Sequence, residues 1–152
     1  MVHELKYSDM TSLGVELGRK VGERLHETLK SVKVDGLVPV PLHKIKQRER
    51  GYNQTEYICR GIESVTGVPV FPGLLQRTRY TESQTNLDID QRRHNVAEAF
   101  CAKPTSRTDI PGKRWVIVDD VITTGATIAE CARVLRTYGA SGVIACSAAL
   151  AP

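Results

Sequence analysis

With 152 residues and 16.8 kDa, the chain has the length of one ordinary domain and can bury a core without disulfides or a structural metal. Hydrophobic residues at 41% and charged residues at 25% exclude a disordered chain, and no apolar run approaches the roughly 20 residues of a membrane span. The net charge of +4 and pI near 9.0 suit a phosphate-bearing ligand or a nucleic-acid surface without choosing between them.

The opening MVHELKYSDM lacks the apolar stretch of a signal peptide, so a cytoplasmic location is expected. From Asp9 to Lys30, Leu13, Leu17, Val21, Leu25 and Leu29 recur every fourth position, which predicts an amphipathic helix. Gly14, Gly18 and Gly22 run beside that stripe and would let another backbone come close, within the fold or in a contact between copies of a homo-oligomer. Gly36 to Val40 reads as a buried strand ended by Pro41, and HKIKQRERGY as a polar loop after it. Asn53 has the chemistry of a helix N-cap, with Glu56 placed for a capping box; Ile58, Ile62 and Val65 then line one face before Gly67.

Val68 to Phe71 and Leu74 to Arg77 are expected as short strands. Glu82 to Gln91 is polar enough for a mobile excursion, followed by a brief helix reaching Ala99 and a surface connection over Lys103 to Lys113. Trp115 to Val118 is a fully apolar strand, a helix follows with Ile128, Cys131, Ala132 and Leu135 inside, and Gly139 stops it before a last strand at Val143 to Leu150. Strand and helix alternate, so the fold class is α/β, one domain over residues 1–152 with a mostly parallel sheet flanked by helices. Cys59, Cys101, Cys131 and Cys146 are far apart in sequence, with no zinc-ribbon or redox pair, and are expected as buried thiols.

The chemistry concentrates in VIVDDVITTGAT, Val116 to Thr127. In an open α/β sheet, ligands bind beyond the carboxyl ends of the strands, where this segment places its polar residues. A helix beginning near Thr124 would aim free N–H groups and a partial positive charge into the turn. Thr123, Thr124 and Thr127 add hydroxyls, while Gly125 and Ala126 keep the backbone open to a phosphate. Asp119 and Asp120 would repel a phosphate but accept hydrogen bonds from vicinal hydroxyls or hold a hydrated metal, so a phosphorylated sugar satisfies both halves. P-loop and Rossmann glycine patterns are absent.

This segment matches the signature by which phosphoribosyltransferases recognise 5-phosphoribosyl diphosphate (PRPP), with Trp115 standing ahead of Val116 to Val118. Together with LKY near the start, VPVPLHKIKQRERGYNQ at Val38 to Gln54 and TESQTNLDIDQRRHNV at Thr81 to Val96, it resembles the ComF family of phosphoribosyltransferase-like competence proteins over nearly the entire chain. The family usually carries a Cys-rich zinc ribbon at its start, and no such cluster stands in this sequence, so a shorter member or a fragment without that module is expected.

The resemblance implies a type I phosphoribosyltransferase fold with a flexible hood loop, Mg²⁺ as cofactor with PRPP as substrate, and Asp119 and Asp120 as the catalytic pair, possible metal ligands through PRPP. Thr123 to Thr127 would bind the 5-phosphate. Pro41, Leu42, His43, Lys44 and Lys46 would bind the diphosphate, and Arg77, Arg79, Arg92 and Arg93 in the hood would meet it on closure. Three readings stand: transfer of the phosphoribosyl group to an unidentified acceptor, a PRPP or nucleotide sensor without turnover, or a DNA-uptake component partnering a competence helicase or single-stranded DNA. With aromatics at 5%, direct stacking on DNA has little support from composition.

Overall fold

The computed structural model describes residues 2–78 and 99–150, with the side chains of the first helix from Asp9 onward. Its elements are α1 (Val2–Val32), β1 (Gly36–Pro39), α2 (Lys44–Arg50), α3 (Gln54–Thr66), β2 (Leu75–Arg77), β3 (Phe100–Ala102), β4 (Arg114–Ile122), α4 (Ala126–Thr137) and β5 (Gly142–Leu150), with a 3₁₀ turn at Pro104–Asp109. The expected excursion at Glu82 to Gln91, and the brief helix before Ala99, lie outside the described residues.

β1, β4 and β5 form a parallel sheet in the order β1-β4-β5, as the α/β alternation requires. Val68 to Phe71 does not become a full strand: it joins β1 through one parallel bridge, Val70 to Leu37. Pro69 and Pro72 flank that bridge and withhold the N–H groups a longer ladder needs. β2 pairs antiparallel with β3, a partner the sequence pattern did not reveal, and the Thr78 N–H extends the pair by donating to Ala99 O at 2.7 Å.

Side chains alternate along the central strands and feed two cores. Leu37, Val116 and Val118 face Leu29 of α1 and Ile58, Cys59 and Ile62 of α3. Val38, Trp115 and Ile117 face Ile128, Cys131 and Leu135 of α4 together with Leu75 and Phe100 of the small hairpin. Trp115 is fully buried; its indole N–H donates to Ile110 O at 3.3 Å and its ring meets Phe71 edge-on at 5.0 Å. Cys59, Cys131 and Cys146 are buried thiols as expected, whereas Cys101 is half-buried and its sulfur accepts from Gln76 Nε2 at 3.2 Å.

Two expectations change in three dimensions. The packed face of α1 includes the glycine stripe as well as the inner part of the leucine stripe: Leu29 is buried and Val21 and Leu25 pack against the same core, while Leu13 at the helix's outer end is 50% exposed. A Cβ on Gly18 would overlap the Ile58 carbonyl, one on Gly61 the Val15 carbonyl, and one on Gly22 would come within 3.2 Å of Ile62 Cα. The two helices therefore interlock backbone to backbone, so the glycine face is used within the chain and is not available for contact between copies.

The polar loop after β1 also contains a helix, α2. Its Lys, Gln, Arg and Glu residues are good helix formers, His43 caps its start with Nδ1 accepting from Ile45 N–H at 3.2 Å, and Gly51 ends it at φ 79°. In an exposed helix, Gly→Ala gains about 1 kcal/mol. At Gly18 the overlap reverses that sign, so Gly18→Ala should destabilise the fold by about 1 to 3 kcal/mol in urea unfolding.

Candidate functional site

β4 is dry on both faces through Val118 and then turns polar, with Asp119 and Asp120 half-buried at its carboxyl end. Each aspartate folds back on the chain: Asp119 Oδ1 accepts from Asp120 N–H at 2.9 Å and Asp120 Oδ1 from Val121 N–H at 2.8 Å. These bonds fix one oxygen of each carboxylate. The turn then tightens through Gly125, whose φ of 80° is a left-handed geometry that suits glycine.

α4 starts at Ala126, two residues later than the sequence suggested, because Gly125 occupies the cap. Thr124 Oγ1 accepts from Ala126 N–H at 3.3 Å, which leaves the threonine O–H free to donate outward. Asp119, Thr123, Thr124, Gly125, Ala126 and Thr127 together wall a shallow cup of about 20 Å³. A group of phosphate size, not a base or a whole nucleotide, is what such walls can enclose.

Burial pushes the Asp119 carboxyl up from 3.8 to about 7, helped by the side-chain interaction with the Asp120 carboxyl and by that neighbour's charge, while the Asp120 backbone N–H and the charge of Arg77 oppose the rise. The charge of Arg77, at the end of β2, is thus felt at Asp119, though 42 positions separate the two in sequence. Arg77 also stacks on Phe100 at 5.2 Å, a ring the same hairpin supplies. Of the hood arginines, Arg79, Arg92 and Arg93 lie outside the described residues.

The segment expected to hold a diphosphate leaves the carboxyl end of β1, beside that of β4. Pro41, Leu42 and His43 are half-buried, with His43 committed to capping α2; Lys44 is exposed and Lys46 partly so on the first turns of that helix. Behind them Asn53 is buried and joins the segment to the sheet: its Nδ2 donates to Val40 O at 3.0 Å and its Oδ1 accepts from Thr55 N–H at 3.2 Å. The predicted N-cap is therefore present, and the same residue is a strut for the loop, a role that sequence spacing does not disclose.

The family model for the phosphoribosyl transferase domain matches residues 43–152. The chain belongs to the phosphoribosyl transferase domain family. Among curated relatives it is 34% identical over 105 residues to Competence protein F of Haemophilus influenzae, covering 69% of this chain and 45% of that protein. It is 33% identical over 151 residues to DNA utilization protein YhgH of Escherichia coli K12, covering 94% of this chain and 63% of the relative. The resemblance to the ComF family therefore stands, and the chain spans about half to two-thirds of the length of these relatives. Glutamine PRPP amidotransferase from B. subtilis shares the fold at TM-score 0.57 with 23% identity, over 91% of this chain and 26% of that one. The type I phosphoribosyltransferase architecture expected from the sequence is the one observed.

The raised Asp119 value has a measurable consequence for the protein without ligand. A proton bound more tightly in the folded state stabilises it fully below the ordinary value of 3.8, and that contribution is lost as pH rises towards about 7. Asp119→Asn should therefore flatten the fall in melting temperature between about pH 4 and pH 7, as followed by thermal unfolding across that range.

Proposed function

We propose that the chain binds PRPP at the carboxyl end of β4 and transfers its phosphoribosyl group to an acceptor. The observation that carries this reading is the joining of two half-buried carboxylates to a hydroxyl- and amide-lined cup at the start of α4, with a basic segment beside them. The N–H groups of the first turn of α4 and the hydroxyls of Thr123, Thr124 and Thr127 would anchor the 5-phosphate. Asp119 and Asp120 would accept hydrogen bonds from the vicinal ribose hydroxyls, and Lys44, Lys46 and Arg77 would face the diphosphate.

Among the described residues no cluster of three or more His, Cys, Asp or Glu could cage a metal ion. The donor set fits magnesium nonetheless, since Mg²⁺ keeps most of its waters and takes one or two carboxylates plus oxygens of the substrate phosphates. Asp119 and Asp120 are the residues that would hold it. When bound it supplies neutralisation of the diphosphate charge.

In the transfer, the bond from the anomeric carbon to the diphosphate oxygen breaks, the diphosphate departs with the electron pair, and the acceptor's lone pair forms the new bond at that carbon. Positive charge gathers on the sugar in between, and the two carboxylates would stabilise it. The names of the relatives add a second element: we infer that the activity serves the use of incoming DNA, and the resemblance to the ComF family suggests a helicase or single-stranded DNA as the partner. A sensor that binds PRPP without turnover shares the site and differs only in lacking an acceptor.

Calorimetric titration of PRPP with magnesium should show saturable binding to the wild-type chain, weakened about 10- to 100-fold in Asp119→Asn/Asp120→Asn. Diphosphate release on adding bases or amines establishes transfer; binding with no release under any acceptor favours the sensor. A folded wild-type chain that binds no PRPP overturns the reading.

A further inference from the structure

We propose that the hollow at the amino end of the sheet is a second, separate anion site, in which His26, Lys30 and Lys33 receive the phosphate of a phosphomonoester. The hollow lies where α1 and α3 end and β1 begins, at the opposite end of the parallel sheet from Asp119 and Asp120. Its volume of about 330 Å³ reaches the lower range of small-molecule pockets.

The lining divides by chemistry. His26, Leu29 and Lys30 are spaced at three and four along the last turns of α1 and share one face, and Lys33, just past the helix end, lines the same hollow, so the imidazole and two ammonium groups meet there. Leu29, Val34 and Val68 supply an apolar floor suited to the organic part of an ester, and no carboxylate lines the hollow. The Thr66 hydroxyl is already engaged, donating to Ile62 O at 2.9 Å and accepting from Val68 N–H at 3.3 Å.

Two observations mark the hollow as more than a cleft between helix ends. Nδ1 of His26 is buried and meets no hydrogen-bond partner among the described residues, and a turn of the ring that brings this nitrogen to the hollow lets an anionic acceptor relieve it. Lys33 has φ 58°, the one positive value outside glycine among the described residues. At Gly51, Gly67, Gly112, Gly125 and Gly139 the chain uses glycine for that geometry, so at residue 33 lysine stands against its backbone preference. Compensation of the helix dipole accounts for Lys30 in the last turn of α1 but does not require a side chain at the left-handed position.

The test follows the His26 ring Cε1 proton by NMR in the full chain, assigned by its loss in His26→Gln, during titration with adenosine 5′-monophosphate, inorganic phosphate and adenosine. Saturable movement with the monophosphate, weaker with inorganic phosphate and absent with adenosine, is the expected result. Lys33→Gly separates binding from folding: relief of the strained backbone should raise the melting midpoint by about 2 to 4 °C while affinity at His26 falls about tenfold. A His26 signal that does not move, that moves equally with adenosine, or that titrates unchanged in Lys33→Gly overturns the proposal.

Discussion

The structure hangs on β4, a strand that is dry on both faces and paired on both edges until its last residues. Trp115, Val116, Ile117 and Val118 have no exposure, and alternate members enter opposite cores. Parallel pairing with β1 and β5 satisfies its backbone, so burying it costs no unpaired peptide groups. Because this strand cannot shift register without moving Trp115 to the other face, the point at which it turns polar is fixed relative to everything packed around it. Asp119 and Asp120 sit at that point.

What surrounds the aspartates is assembled from distant parts of the chain. The cup comes from the turn and first residues of α4 and so is local to the motif. The positive charge that opposes the rise of Asp119 is not local: Arg77 arrives from β2, held by the antiparallel pairing with β3 and by the bonds joining Thr78 to Ala99. Asn53 connects the loop after β1 to the strand it follows, so the basic residues of α2 emerge beside the same sheet end.

The interlock of α1 with α3 sets the other end of the molecule. Close approach at Gly18 and Gly61 lets the two helices run side by side in the same direction and end together below the sheet. Their joint ending opens the hollow around His26, and the reversal from α1 into β1 passes through Lys33. Among the described residues no helix is long and apolar enough to cross a membrane, in keeping with the charged outer face of α1.

The sequence by itself determined the α/β order, the central strand and the phosphate turn, because each rests on local chemistry: period, caps and the run of VIVDDVITTGAT. It also determined Asn53 as a cap and Gly67 and Gly139 as helix stops, since capping involves only neighbours in the chain. Only the tertiary structure decided that the glycines of α1 join Val21, Leu25 and Leu29 on its packed face, because close backbone approach depends on what lies opposite. The same holds for β3, which needs β2 as its partner, and for α2, where helix-forming residues outweighed the polar appearance of the loop. The effect of the Arg77 charge on Asp119 and the gathering of His26, Lys30 and Lys33 with Thr66 and Val68 were equally out of reach. Charge interactions and cavities depend on distances through space, and the one-dimensional pattern carries no measure of those.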